Sequence, residues 1–327
     1  MSNLNVLFLT HRGEGYVGAP QTRHEFEQEV AKHCNCKFAG EGWSLYRAGE
    51  SMDETVKRVM PNVDLVIDSD NNLHNKKPIN RRYKIGHVIS DIHAKHYYKL
   101  KTPLEYVNLL NKVGYDVIFM RYPRAYGTKH PPDTVYSGLT CDKQWVPWSI
   151  KPDKFKQKRK TVDAALIGTI NNRVYPLRQK MWDNWEQTLK NYNTIRQRAP
   201  TGKTYDRSIT SLKNTHIVGD QYCDVLAKTN LLTFGCSVYR YALQKFFEGA
   251  ASQCVIISDK PDAAERLGFI DGKTYVCVNK DNWGEKTLYL LENHGEARRI
   301  ARMGMKNVLL NHSHEKRAKQ WIKTLSD

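Results

Sequence analysis

The chain has 327 residues, a formal charge of +17 from 51 Lys/Arg against 34 Asp/Glu, and 40% hydrophobic residues that include seven Trp. That length supports two domains with ordinary cores, that apolar content excludes a disordered chain, and no apolar run approaches a membrane span. The charge predicts attraction to polyanions, either nucleic acid or an anionic membrane, beside the plainer reading of a well-solvated surface.

The seven cysteines are odd in number and lack metal spacing; Cys34-Asn-Cys36 is too close for a zinc-binding arm. Reduced thiols are expected. Met1–Thr10 has no charged leader region and no cleavage site, and no lipidation motif is present. The expected location is the cytoplasm, or the host cytoplasm for a viral chain. The positive charge is uneven: residues 1–150 carry 20 basic and 16 acidic side chains, residues 151–327 carry 31 and 18.

In chain order, Asn5–Thr10 reads as a first strand, followed by a loop with Gly13, Gly15 and Gly18 and a helix over Gln21–His33. Strands follow at Val63–Asp68 and Ile85–Ser90, a helix at Leu104–Val113 and a strand at Val117–Met120. Trp145-Val-Pro-Trp-Ser-Ile-Lys-Pro152 and the basic stretch to Lys160 form a linker. A second series has a strand at Val162–Ile167 ending in Gly168, a helix at Leu177–Tyr192, and short strands at His216–Val218 and Leu231–Phe234. It continues with helix Tyr241–Ala251, strands Cys254–Ser258 and Thr274–Val278, and helices over Asn282–Asn293, Gly295–Leu310 and Ser313–Leu325. Strands that alternate with helices predict an α/β fold of two units, with a ligand in the cleft at the carboxyl ends of the strands.

Two places in the second series point to a phosphate-bearing ligand. Gly168 ends a strand, and Arg173 and Arg178 follow on the turn and the next helix. A glycine lets backbone approach a phosphate, and arginine offers a planar fork to its oxygens. On the later helix Lys245 and Glu248 stand one turn apart, on one face. A cation beside a carboxylate suits a diphosphate joined to a sugar diol; the simpler alternative is an intrahelical ion pair.

The segment Lys245-Phe-Phe-Glu-Gly-Ala-Ala-Ser-Gln-Cys-Val-Ile-Ile-Ser-Asp259 resembles the donor-binding element of GT-B glycosyltransferases. Leu166-Ile-Gly-Thr, Tyr175-Pro-Leu-Arg178 and His312-Ser-His-Glu-Lys-Arg-Ala-Lys319 look like the spore-maturation (CgeB-like) branch. The resemblance implies two facing Rossmann-like domains. Residues 1–150 would form an acceptor-side domain, 151–312 a nucleotide-sugar domain, and 313–327 a helix crossing back to the first. It implies Glu248 on the donor ribose, Lys245 and Arg178 on the pyrophosphate, a UDP-sugar as co-substrate, and no cofactor or metal. Gly219 and Gln221 are candidate backbone contacts for the base. One departure is notable. Many retaining members carry a second glutamate eight positions earlier, where this chain has Arg240.

A more distant similarity, to phage DNA β-glucosyltransferases, rests on Lys245-Phe-Phe-Glu248-Gly-Ala-Ala251-Ser252 and on His87-Val-Ile-Ser-Asp91-Ile-His93. It implies Asp91 as the general base of an inverting transfer, with His93 beside it; the alternative is that Asp91 caps the next helix. Lys76, Lys77, Arg81, Arg82, Lys95 and Lys99 surround Asp91 in sequence. They make double-stranded DNA with a hydroxymethylated base the expected acceptor. A surface polysaccharide or lipid-linked glycan acceptor, or a non-catalytic nucleic-acid-binding scaffold, are the alternatives. Asp68-Ser-Asp70 resembles a metal-binding pair but lies in the half without the nucleotide motif, so it reads as a loop or acceptor-side element.

Overall fold

The computed structural model describes residues 4–12, 19–68, 81–89, 91–93, 100–199, 212 and 215–326. It divides into two compact units. The first holds residues 4–12, His24–Pro147 and the chain from Arg317 onward; the second holds residues 19–23 and Trp148–Lys316.

In the first unit β1 (Asn5–Phe8), β2 (Asn35–Phe38), β3 (Leu65–Asp68), β4 (Lys84–Ile89), β5 (Val117–Met120) and β6 (Asp142–Trp145) form a parallel sheet in the order β2-β1-β3-β4-β5-β6. The central strands read Val-Leu-Phe, Leu-Val-Ile and Val-Ile-Phe-Met and are buried, as a sheet covered on both faces requires. Helices α2 (Met52–Val59) and α3 (Pro103–Val113) and the short α4 (Thr134–Ser137) share one core with the sheet. The Ser51 side chain and Glu54 form a capping box at the start of α2, and Thr102 caps α3. The other face is covered by α1 (Ala19–Val30) and the last helix of the chain. That helix brings Trp321 to 4.9 Å from Phe119 and 6.1 Å from Phe8, ring centre to ring centre.

The second unit repeats the plan. Strands β7 (Val162–Gly168), β8 (Thr194–Arg198), β9 (Thr229–Thr233), β10 (Val255–Ser258) and β11 (Val276–Cys277) form a parallel sheet ordered β11-β10-β9-β7-β8. Its helices are α5 (Pro176–Leu189), α6 (Asp220–Lys228), α7 (Gln244–Ala251), α8 (Trp283–Glu292) and α9 (His294–Asn311); α10 (His314–Ser326) then carries the chain into the first unit. Counted from its own first strand, each sheet begins 2-1-3-4-5. That order reverses direction between the first and third strands, and such switch points open a crevice at the carboxyl ends of the strands. In the second unit the switch lies between β7 and β9.

The expected strand at His216–Val218 is not formed; β8 is the edge strand instead. No helix among the described residues is long and apolar enough to cross a membrane.

Candidate functional site

The switch point of the second unit is built from the ends of β7 and β9 and the starts of α5 and α7. Gly168, the last residue of β7, has φ +155°. A Cβ there would stand 2.9 Å from Arg178 Nη1 and 3.5 Å from Lys245 Cε. The bare backbone of Gly168 therefore lies directly against both cations, a conformation and a fit that glycine alone allows without strain.

Arg178, in the first turn of α5, is 2% exposed. Its Nη1 donates to the Thr169 carbonyl at 2.9 Å and its Nη2 to the Gly235 carbonyl at 2.8 Å. The guanidinium carbon lies 4.0 Å from the centre of the Tyr175 ring, a cation–π contact. Its Nε is buried without a hydrogen-bond partner, and burial lowers its pKa. Each terminal nitrogen thus gives one N–H to the loops after β7 and β9. Arg178 is a buried brace in this structure, and its positive charge lies under the site.

Helix α7 is held down by its small residues. A Cβ on Gly249 would lie 2.5 Å from Leu232 Cδ2 and 2.6 Å from Ile256 Cδ1, so the helix packs directly on β9 and β10. Phe246 and Phe247 are fully buried beside it. That packing fixes where Lys245 and Glu248 emerge. Glu248 is 7% exposed, and a buried carboxylate needs donors. Gln244 Nε2 donates to its Oε1 at 2.6 Å, and the Tyr222 hydroxyl donates to its Oε2 at 3.0 Å. Lys245 Nζ donates to Tyr222 Oη at 3.3 Å and lies 4.7 Å from that ring's centre. Burial lowers the Lys245 pKa to about 8, against an upward pull from Glu248 and with a further downward push from Arg178. Burial, then Glu248, holds the Tyr222 pKa well above its usual value.

The structure thus gathers Gly168, Arg178, Lys245 and Glu248, and adds Tyr222 and Gln244. Gln244 was not singled out from the sequence, although its place one turn before Glu248 on the same helix is the signal that could have found it. Tyr222 lies in a polar segment with no motif, and only its proximity to Gln221 marked the region. Gly219 precedes α6 with φ 56° and ψ −129°, and Gln221 is exposed on the first turn of that helix. Arg173 is exposed in the turn before α5, where its backbone N–H donates to Asn171 Oδ1 at 2.9 Å. Arg240 has φ 54° and its carbonyl accepts from Asp262 N at 2.7 Å.

In the first unit Asp91 follows the carboxyl end of β4. Its Oδ1 accepts from the His93 backbone N–H at 2.8 Å and lies 3.5 Å from His93 Nδ1. The Asp91 side chain is 42% exposed, whereas His93 is 8% exposed. The carboxylate therefore does cap a local turn and still reaches solvent. Arg81 and Arg82 do not surround it. They precede β4, whose six residues span roughly 20 Å, so they lie beyond the opposite end of the strand. Arg81 forms a two-armed ion pair with Asp116 and also donates to the Gly114 carbonyl. Lys76, Lys77, Lys95 and Lys99, and the glycines 13, 15 and 18, lie outside the described residues. Asp68 is 1% exposed and accepts from the Tyr115 hydroxyl at 3.0 Å, while its carbonyl meets His87 Nδ1 at 2.7 Å. It belongs to the core; Asp70 is outside the described residues. Among the described residues no group of three His, Cys, Asp or Glu could hold a metal ion.

Residues 173–323 match the family described as glycosyl transferase-like. The match covers 151 of the 327 residues. No curated protein matches the sequence. Among solved structures, sucrose-phosphate synthase from Thermosynechococcus elongatus superposes with a TM-score of 0.66 at 10% identity, over 99% of this chain and 98% of that one. HepE from Anabaena, solved with UDP-glucose, gives 0.62 at 12% over 99% and 100%. A glycosyltransferase from Rickettsia africae gives 0.58 at 11% over 99% and 98%. The fold is GT-B. The GT-B expectation from the sequence is met, with two Rossmann-like parallel sheets.

Proposed function

We propose that this GT-B protein transfers a sugar from a nucleoside-diphosphate sugar, a UDP-sugar first among them, to a hydroxyl acceptor. The observation that carries the proposal is the convergence of Gly168, Arg178 and Lys245 at the switch point, with Glu248 one helical turn from Lys245. The backbone of Gly168 and the ammonium of Lys245 receive the diphosphate, with the Arg178 charge beneath. Glu248 accepts the ribose hydroxyls. HepE, of the same fold, was solved with UDP-glucose, which favours uridine in the donor. Calorimetric titration with UDP tests the reading. Binding that Glu248→Ala weakens supports it; absence of heat with UDP and with every other nucleoside diphosphate overturns it.

For the acceptor, the proposal is duplex DNA with a hydroxymethylated base, and Asp91 is the base that takes the acceptor proton in an inverting transfer. The +17 charge of the chain supports a polyanionic acceptor, and the partly exposed Asp91 at a strand's carboxyl end supports the base. Gel-shift affinity for such DNA should fall steeply with salt, because phosphate contacts release counterions. Affinity indifferent to salt, with transfer to a polysaccharide or lipid-linked glycan instead, would reassign the acceptor.

A further inference from the structure

Hydrogen bonds between α6 and α7 and within α7 link four polar groups. Lys245 donates to the Tyr222 oxygen, Tyr222 donates to Glu248 Oε2, and Gln244 fills Oε1. Lys245 and Glu248 stand three residues apart on one helix, the spacing at which a cation and a carboxylate pair directly. Here an oxygen from another helix stands between them. A directly paired ammonium and carboxylate would neutralise each other at the place where a ligand needs both.

We propose that Tyr222 is a positioning residue whose hydroxyl holds Lys245 and Glu248 apart, so that the cation stays available to a diphosphate and the carboxylate to a ribose. The role of each partner rests on the nucleotide-sugar reading; the spacing itself does not. Tyr222 contributes in two ways. Its oxygen accepts from the ammonium and its ring faces the charge, which together stabilise a cation that burial otherwise disfavours. Its proton satisfies one carboxylate oxygen without bringing a positive charge to it. The groups facing Lys245 are Arg178 from α5, Tyr222 from α6 and Glu248 from its own helix.

Tyr222→Phe keeps the ring and removes the spacer. Lys245 and Glu248 then close into a direct pair. The carboxylate beside the ammonium raises the pH at which Lys245 loses its proton. The side-chain NMR signal of Lys245, assigned by its loss in Lys245→Arg, is followed against pH without ligand. Its midpoint is expected near pH 8 in the parent protein and at higher pH in Tyr222→Phe. Glu248→Gln should lower the midpoint more in the Tyr222→Phe background than in the parent, a coupling read from the double-mutant cycle. UDP affinity at pH 7 should fall about tenfold in Tyr222→Phe, the cost of losing a charge-assisted hydrogen bond.

A midpoint that stays or falls in Tyr222→Phe overturns the spacing role, as does a cycle without coupling. If UDP fails to bind even the parent protein, the donor reading fails, and the ligand-free titration still decides the role of Tyr222.

Discussion

The Gly168 backbone lies against Arg178 so closely that a Cβ would meet Nη1 at 2.9 Å. The contact fixes the end of β7 and the start of α5 in one arrangement. Gly168→Ala brings both a crowded Cβ and a strained φ of +155°, a cost of about 1–3 kcal/mol. Arg178 cannot yield easily, because both its terminal nitrogens are bonded to carbonyls. We expect a lower urea midpoint with unchanged slope, and UDP affinity reduced more than stability alone explains. Unchanged UDP affinity would move the diphosphate away from Gly168.

Arg178 itself is the harder test. Lysine carries the charge but cannot reach two carbonyls on separate loops. Arg178→Lys therefore keeps the field and loses the brace. The expected loss is about 2–3 kcal/mol in denaturant unfolding, from two buried hydrogen bonds to a charged group. Weaker UDP binding should accompany it, because the loops after β7 and β9 are no longer tied. A variant as stable as the parent would show that the brace is dispensable.

Lys245 gives two pH profiles of opposite slope. Its folded pKa is depressed to about 8 by burial, below the roughly 10.4 of an unfolded lysine. Between these values the unfolded chain holds a proton that the folded chain does not, so stability contributed by this group rises with pH across that window. UDP affinity falls over pH 8, because the ammonium that meets the diphosphate disappears. Lys245→Met should remove the affinity step and flatten the stability slope between about pH 8 and 10.4. UDP affinity that remains level through pH 9 would take Lys245 out of direct contact.

The interior of both sheets was legible in the sequence, and of the four edge strands only β11, within the expected Thr274–Val278, was. The runs at Val63–Asp68, Val117–Met120 and Val162–Ile167 are apolar because both faces of those strands are covered, and they appear as β3, β5 and β7. The missed strands are β2 (Asn-Cys-Lys-Phe), β6 (Asp-Lys-Gln-Trp) and β8 (Thr-Ile-Arg-Gln-Arg), each at the edge of its sheet and partly solvated. Their polarity reads as loop. Helix α2 was missed despite the Ser51–Glu54 capping box, because only eight residues follow it. At the site, Lys245 and Glu248 were visible through helical spacing. Tyr222 was not, since no local pattern ties it to a helix that follows 22 residues later. Arg81 is the converse case. Proximity to Asp91 in sequence ignores the strand between them, which carries the two to opposite ends of the sheet.

Asp91 permits a substitution that separates chemistry from structure. Asparagine retains an oxygen to accept from the His93 backbone N–H, so the turn after β4 should persist in Asp91→Asn. It cannot take a proton from an acceptor hydroxyl. UDP affinity should stay within about twofold of the parent value, since the donor contacts proposed above all lie in the second unit. Turnover with a competent donor and acceptor should fall by about 10² to 10⁴, the usual worth of a positioned base. His93 sits 3.5 Å from the same oxygen, and His93→Gln should lower the rate less, by altering how the carboxylate is held. Near-normal turnover in Asp91→Asn would leave Asp91 as the turn-forming residue that its hydrogen bond makes it. The proton acceptor would then have to be sought elsewhere, and the inverting reading would lose its support.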